Sequence, residues 1–175
     1  MIFFKKKSDT HFYLFENIVK ISRNKKFYEN CEILDTTDGR FEILVLHVSL
    51  IIRRINNLGH TGLAQSLVDL MFSSIDLSFR EEGVGDLSIP KKMKKIGQVF
   101  YGRLAILDSI LDSGPSKVQL DNLESYFLRN AFSSNKDYIN QSRKLANYSS
   151  DINKKIKTLN IDNIVNLDTE QFDIF

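Results

Sequence analysis

Charged side chains are most concentrated in a short stretch near the middle of the chain. The stretch contains four lysines, Lys91, Lys92, Lys94 and Lys95, which we call the basic patch. No acidic residue occurs between this patch and Arg103, whereas residues 80–86 are net acidic. Gly83 and Gly85 lie in that acidic segment and permit backbone angles that other residues avoid, which predicts a shaped loop before a basic helix. A charge cluster beside such a loop predicts recognition of an acidic or apolar partner.

We predict a partner-binding surface made of the loop, the basic patch and part of the helix that follows. Its residues are Arg80, Glu81, Gly83, Val84, Gly85, Asp86, Leu87, Lys91, Lys92, Lys94, Lys95, Tyr101 and Arg103. Two plainer interpretations stay open at this point. Lysine clusters are often only a solvated helix face. Arg80 and Asp86 would equally form a structural pair that closes the loop.

No catalytic, cofactor-binding or metal-ligating arrangement is predicted. Ser88 stands where a dinucleotide fingerprint starting at Gly83 has its third glycine, and the motif follows a helical pattern where that fingerprint needs a strand. Cys31 has no second thiol nearby, and no two of the histidines have the spacing of metal ligands. We therefore predict that the protein is not an enzyme, that His47 is a hydrogen-bonded core residue and that Cys31 is buried apolar filler.

Helices must position these side chains. Apolar residues recur every three or four positions, and no alternating run typical of a strand is present. The predicted helices cover residues 10–22, 41–55, 62–79, 88–111, 116–131 and 136–148. Ser88 is expected to cap the fourth of them, with Pro90 in its first turn, and Ser116 with Gln119 predicts a capping box. The predicted fold class is all-α, a single-domain bundle of about six helices.

The domain boundary is predicted between residues 148 and 149. Residues 1–148 would form the helical domain, and residues 149–175 a polar to acidic tail that we expect to be loosely ordered. This last segment is rich in Asn, Asp and Lys with isolated isoleucines. Because its end is acidic, one hypothesis is that residues 162–175 fold over the basic patch when no partner is bound.

Composition restricts the classes of partner and compartment. The net charge of +2 is too small to indicate a nucleic-acid binder overall, and a single cysteine excludes an internal disulfide and suits a reducing compartment. The longest apolar run, residues 43–52, is shorter than the roughly 20 residues that span a membrane. Residues 1–7 carry apolar side chains before lysines, unlike a signal or transit peptide. We expect a cytoplasmic protein.

Two blocks of sequence carry a family resemblance. The first contains Ser78-Phe79-Arg80-Glu81, Gly83-Val84-Gly85-Asp86-Leu87, Pro90-Lys91-Lys92-Met93-Lys94-Lys95 and Phe100-Tyr101-Gly102-Arg103. The second contains Asp38-Gly39-Arg40-Phe41-Glu42, Leu44-Val45-Leu46-His47 and Arg53-Arg54, after the aromatic pair Phe27-Tyr28. In order and spacing these blocks, over roughly residues 10–135, resemble the ubiquinol-cytochrome c chaperone family.

The resemblance implies an assembly factor that has no cofactor and catalyses no reaction. Members of that family hold newly made cytochrome b until it joins the other subunits of ubiquinol:cytochrome c reductase, and in mitochondria they also work near the ribosome with a small helper protein. For this chain the resemblance implies a bacterial, cytoplasmic member that is peripheral at the inner face of the plasma membrane. There anionic lipid would attract each lysine of the basic patch by about 1 kcal/mol. Val84, Leu87 and Ile89 would then hold the client.

Two other functions fit the same residues. The basic patch would suit an RNA- or ribosome-binding module, whose affinity falls steeply with salt. The glycine loop would suit a structural protein that forms a stable oligomer. Salt dependence and oligomeric state would separate these alternatives from a chaperone.

Overall fold

The computed structural model describes residues 10–114, 116–167 and 169–172. Its elements are α1 (Thr10–Ser22), α2 (Lys26–Glu29), α3 (Thr37–Asn57), α4 (Thr61–Glu81), α5 (Ile89–Asp112), α6 (Lys117–Ala131), a 3-10 turn at Lys136–Tyr138, α7 (Ile139–Thr158), α8 (Ile161–Val165) and a 3-10 turn at Thr169–Phe172. No strand occurs in the described ranges. The predicted all-α bundle is confirmed, and six of its helices have 13 residues or more.

Helix α3 is the centre of the bundle because it is apolar on nearly every side. Its buried residues include Ile43, Leu46, Leu50, Ile51 and Ile55, and α1, α4, α5, α6 and α7 all pack against it. The helix begins where the Thr36 hydroxyl accepts a hydrogen bond from the Gly39 N–H at 3.2 Å. A side chain at Gly39 would overlap the carbonyl oxygen of Leu34, so this close approach of loop to helix requires glycine.

The predicted starts of α5 and α6 are correct to within one residue and differ in capping, whereas α3 begins four residues earlier and α7 three residues later than predicted. Pro90 lies in the first turn of α5, but Ser88 has helical backbone angles and its side chain makes no capping hydrogen bond. The hydroxyl of Ser116 does cap α6 by accepting from the Gln119 N–H at 3.1 Å. The Gln119 side chain donates to carbonyls at the end of α5 instead of reaching back to Ser116, so only half of the capping box forms.

A buried polar network crosses the core, as predicted for His47. Its Nδ1 lies 2.8 Å from the carbonyl oxygen of Ile43, and its Nε2 lies 2.6 Å from the hydroxyl of Tyr148 on α7. The ring therefore donates through Nδ1 to the carbonyl and accepts through Nε2 from the tyrosine. Burial lowers the pKa of His47 to about 4, so the imidazole is neutral.

The structure differs from the predicted domain boundary. Helix α7 continues through residue 149 to Thr158, and Ile152, Ile156 and Ile164 are buried. Helix α8 and the final 3-10 turn pack on α1, where the Asn17 side chain donates to the Leu167 carbonyl at 3.0 Å. The isolated isoleucines form an apolar stripe on polar helices, which the average composition of the segment conceals.

The described part of the tail does not cover the basic patch, contrary to the hypothesis drawn from its charge. Helix α8 lies against α1 and α3, the final 3-10 turn lies against α1, and the Phe172 ring is 6.1 Å from that of His47. Residues 168 and 173–175 fall outside the described ranges.

Among the helices of the described ranges, none is long and apolar enough to cross a membrane.

Candidate partner-binding surface

The loop between α4 and α5 is closed by hydrogen bonds that its sequence specifies. Gly83 follows the end of α4 with a φ of +78°, its N–H donates to the Arg80 carbonyl at 3.0 Å, and the Val84 N–H donates to the Phe79 carbonyl at 2.9 Å. This is the Schellman pattern, which favours glycine at that position. Gly85 does not have a positive φ, so its predicted conformational role is not used.

Arg80 forms the structural pair that the sequence left as an alternative. Its Nε lies 2.7 Å from the carboxylate of Asp76, one turn earlier on α4, and its Nη1 lies 2.8 Å from the carboxylate of Asp86 in the loop. All three side chains are largely at the surface, so each pair contributes little stability. The two ion pairs hold the loop against the end of α4, and the positive charge of Arg80 is paired with the two carboxylates.

The basic patch occupies the first two turns of α5. All four of its lysines are exposed, and none forms an ion pair with another described residue. Lys92 places its Nζ 5.1 Å from the centre of the Phe79 ring, a cation–π contact between α5 and α4. On the described surface, no acidic side chain is therefore in direct ion-pair contact with the patch.

The patch opposes the dipole of its own helix. The first turn of α5 has no acidic residue and the last turn no basic one, whereas Asp108 and Asp112 lie near its C-terminus. The partial positive charge of a helix N-terminus acts mainly within the first turn, so Lys91 and Lys92 are each unfavourable there by about 0.3–1 kcal/mol at low salt. Helix stability does not explain this arrangement, which concentrates positive potential at one end of the bundle.

Arg103 and Tyr101 lie further along α5 and have other contacts. The guanidinium of Arg103 binds the Glu42 carboxylate on α3, with Nη2 at 2.9 Å, and both side chains are mostly buried. Tyr101 is 53% exposed and its ring lies beside those of Phe72 and Phe100. Phe100 is fully buried, as predicted. Arg103 thus fixes α5 to α3, while Tyr101 reaches the surface.

The three apolar residues expected to hold a client differ in accessibility. Leu87 is 99% exposed at the tip of the loop, and Val84 is half-buried. Ile89, the first residue of α5, is buried and therefore unavailable to a partner in this structure. The loop therefore presents one fully accessible apolar side chain beside the lysines.

An open cleft of about 440 Å³ adjoins the patch, and sequence reasoning missed it. It is bounded by α1, the turn at α2, the start of α3, the second half of α4 and one residue of α5. Its apolar lining consists of Phe15, Val19, Phe41, Leu44, Met71, Ile75, Phe79 and Ile96. The apolar stripes of these helices were visible in the sequence, but periodicity does not tell which end of a stripe stays uncovered.

The rim of the cleft is polar and of mixed charge. Arg23, Arg40, Asp38 and Glu82 lie on it. Arg40 binds the neighbouring Asp35 at 2.6 Å, and this hydrogen bond holds the pKa of the Asp35 carboxyl below its usual range. Because the rim is nearly balanced, the net positive charge of this region comes from the basic patch.

The other candidates for chemistry are confined to the core. Cys31 is fully buried, and burial raises the pKa of its thiol to about 11, so it behaves as the predicted apolar filler. Within the part of the chain that the structure describes, no group of three or more His, Cys, Asp or Glu residues could hold a metal ion.

Comparisons with known proteins agree with this architecture. The profile of the family described as Ubiquinol-cytochrome C chaperone matches residues 29–170, a span that includes α8. The crystal structure of the Cbp3 homolog from Brucella abortus has a similar fold, with a TM-score of 0.79 and 28% sequence identity over 95% of this chain and 93% of that chain. A search of curated proteins found no match.

Proposed function

Because the chain belongs to the Ubiquinol-cytochrome C chaperone family, whose profile covers most of its length, we propose that it binds newly made cytochrome b. In doing so it assists assembly of the ubiquinol:cytochrome c reductase complex. The family is one of chaperones, and we infer that the protein acts by holding a client rather than by catalysing a reaction.

The observation that carries the proposal is the basic patch, whose first two lysines oppose the helix dipole and none of whose lysines forms an ion pair with a described acidic residue. A cluster that lowers the stability of its own helix is explained when it serves a partner. Its positive potential suits acidic loops of a membrane protein, and the exposed Leu87 offers an apolar contact beside it. We therefore place the first contact with cytochrome b at the α4–α5 loop and the basic patch.

The same lysines suit attachment at a membrane surface while the client is held. Anionic lipid attracts each juxtamembrane lysine by about 1 kcal/mol, so four of them give reversible peripheral binding. We propose that the protein works at the inner face of the membrane, where cytochrome b is inserted.

The test is capture of cytochrome b from the native membrane fraction by the tagged protein, read by mass spectrometry. The test variant reverses the basic patch to K91E/K92E/K94E/K95E. Its matched control, K20E/K117E/K136E/K157E, makes the same change in net charge at exposed lysines elsewhere on the bundle. We expect the wild type and the control to enrich cytochrome b and the patch variant to lose it.

Melting temperatures of the wild type and both variants are measured alongside, so that loss of capture is read only from folded protein. Glutamate near a helix N-terminus interacts favourably with the dipole, so the patch variant should keep or raise its melting temperature. Equal capture of cytochrome b by the patch variant and the wild type would refute the assignment of the patch. Capture of ribosomal proteins or RNA alone by the wild type would instead favour the RNA- or ribosome-binding alternative.

A further inference from the structure

We infer that the cleft between α1, α3, α4 and α5 binds the apolar face of a helical segment whose acidic end lies on the basic patch. The inference deepens the proposed function, because it rests on a client being bound and assigns the chemistry of the bound segment. Two adjoining surfaces would then recognise the segment: the cleft would bind its apolar side chains, and the basic patch would bind its acidic end and so set its orientation.

The lining of the cleft is apolar surface that the bundle leaves uncovered. Phe41, Leu44, Ile75, Phe79 and Ile96 are only partly buried, although they come from three helices and converge on one depression. The floor beneath them is closed by the fully buried Met71. A volume of about 440 Å³ lies in the range of sites that hold ligands of several side chains.

The walls of the cleft determine the form of segment that fits. They are helices, whose backbone N–H and C=O groups are hydrogen-bonded within the helix. An extended peptide has no strand edge to join here, since the described ranges contain no strand. Recognition must therefore run through side chains, and a helix with apolar residues three and four positions apart presents them along one face.

The basic patch and the cleft are continuous, which sets the direction of the segment. Phe79 lines the cleft, and the Nζ of Lys92 lies 5.1 Å from the centre of its ring. An apolar side chain seated near Phe79 thus leaves the next helical turn of the segment within reach of the lysines. Carboxylates on that turn would find four lysines that form no ion pair with a described residue, whereas lysines would be repelled by them.

The probe for this inference is a fluorescent synthetic peptide of about 18 residues, long enough for about 27 Å of helix. It carries leucines along one face and three glutamates at one end, and a second peptide has lysines in place of those glutamates. Binding to the full-length protein is measured by fluorescence anisotropy. We expect the glutamate peptide to bind at least about tenfold more tightly than the lysine peptide, with an affinity that falls as salt rises.

The variant that tests the cleft fills it without removing any core side chain. Ser78 lines the cleft, so Ser78→Trp should reduce affinity for the glutamate peptide at least about tenfold. Ser73 lies on the same helix, is exposed and does not line the cleft, so Ser73→Trp is the matched control and should bind like the wild type. Circular dichroism and thermal unfolding establish that both variants fold.

Two results would overturn the inference. One is equal peptide affinity for the folded Ser78→Trp and Ser73→Trp variants. The other is binding of phosphatidylglycerol vesicles, but of neither peptide, with loss of vesicle binding in Ser78→Trp, which would make the cleft a lipid site.

Failure of the proposed function gives a different pattern. If the wild type captures no cytochrome b but binds the glutamate peptide through the cleft, the site stands and the client is wrong. If Ser78→Trp captures cytochrome b as well as the wild type, while the patch variant does not, the client stands and the cleft is wrong.

Discussion

Mild acid should destabilise this protein through a single buried side chain, His47. Burial lowers the pKa of its imidazole from 6.5 to about 4, and its contacts are a carbonyl oxygen and two hydroxyl groups. Between these two pKa values the unfolded chain binds a proton that the folded chain does not. The free energy of unfolding must therefore fall as pH falls from 6.5 towards 4, and it is highest above 6.5.

The size of the effect follows from the shift in the pKa of His47. Each pKa unit corresponds to about 1.4 kcal/mol, so a shift of about 2.5 units gives about 3 kcal/mol once the pH is below both values. Between pH 7 and pH 5 the expected loss is about 2 kcal/mol. That is a large share of the stability of an ordinary domain, about 5–15 kcal/mol.

The assay is urea unfolding at pH 7, 6 and 5 for the wild type and for His47→Gln. Every other titrating group is common to the two proteins, so the difference between their pH dependences isolates the histidine. We expect the wild type to lose about 2 kcal/mol more than the variant between pH 7 and 5. An NMR titration of the His47 ring in the folded protein should show a midpoint near 4.

The reasoning about His47 would be refuted by parallel pH dependences in the two proteins, or by a ring that titrates near its usual pKa while the protein stays folded. Either result would mean that water or a rearranged core stabilises the imidazolium. A lower overall stability of His47→Gln would not bear on the question, because only the slope with pH is compared.

Two further predictions concern α5 and the loop before it, and both are checked by urea unfolding. Gly97→Ala should raise the free energy of unfolding by about 0.5–1 kcal/mol, because a Cβ there meets open space in mid-helix. Gly83→Ala should lower it by about 1 kcal/mol, because Gly83 has a φ of +78°. Changes of the same sign in the free energy of unfolding would contradict this. Arg103→Ala should lower the free energy of unfolding by about 2–3 kcal/mol, because it leaves the mostly buried Glu42 carboxylate unpaired. Arg80→Ala should lower it by less than about 1 kcal/mol, because Arg80 is exposed. Equal losses of stability would show that burial of the ion pair does not decide the outcome.

Most helices could be predicted because apolar periodicity and capping residues act between positions that are close in the sequence. The first predicted helix has the observed bounds, and residues 62–79 differ from α4 by one or two residues at each end. Gly83 and Ser116 act as their residue types suggest. The four-residue α2 and the five-residue α8 were not predicted, since so few residues show no period. Packing on α1 and α3 stabilises α8, and Phe27 of α2 packs against the rings of His47 and Tyr148.

The candidate surface was harder to predict because exposure and pairing depend on which elements meet. Arg103 and Lys95 carry the same charge on the same helix, yet one is tied to Glu42 of α3 and the other is exposed. Met71 and Ile75 lie on the same apolar face of α4, yet Met71 is fully buried whereas Ile75 stays partly exposed in the cleft. No pattern within one helix distinguishes these cases, since the partner lies far away in sequence.

The contacts of α5 suggest how one helix can be both fixed and available. Its second half is held to α3 by Arg103 with Glu42 and by Arg53 with Asp108 and Asp112, ion pairs that join residues more than 50 positions apart. Its first half has no ion pair with a described residue and carries the patch. Because the anchored half sets the direction of the helix, the lysines keep a fixed position beside the cleft. A partner that binds both then loses no affinity to ordering the helix.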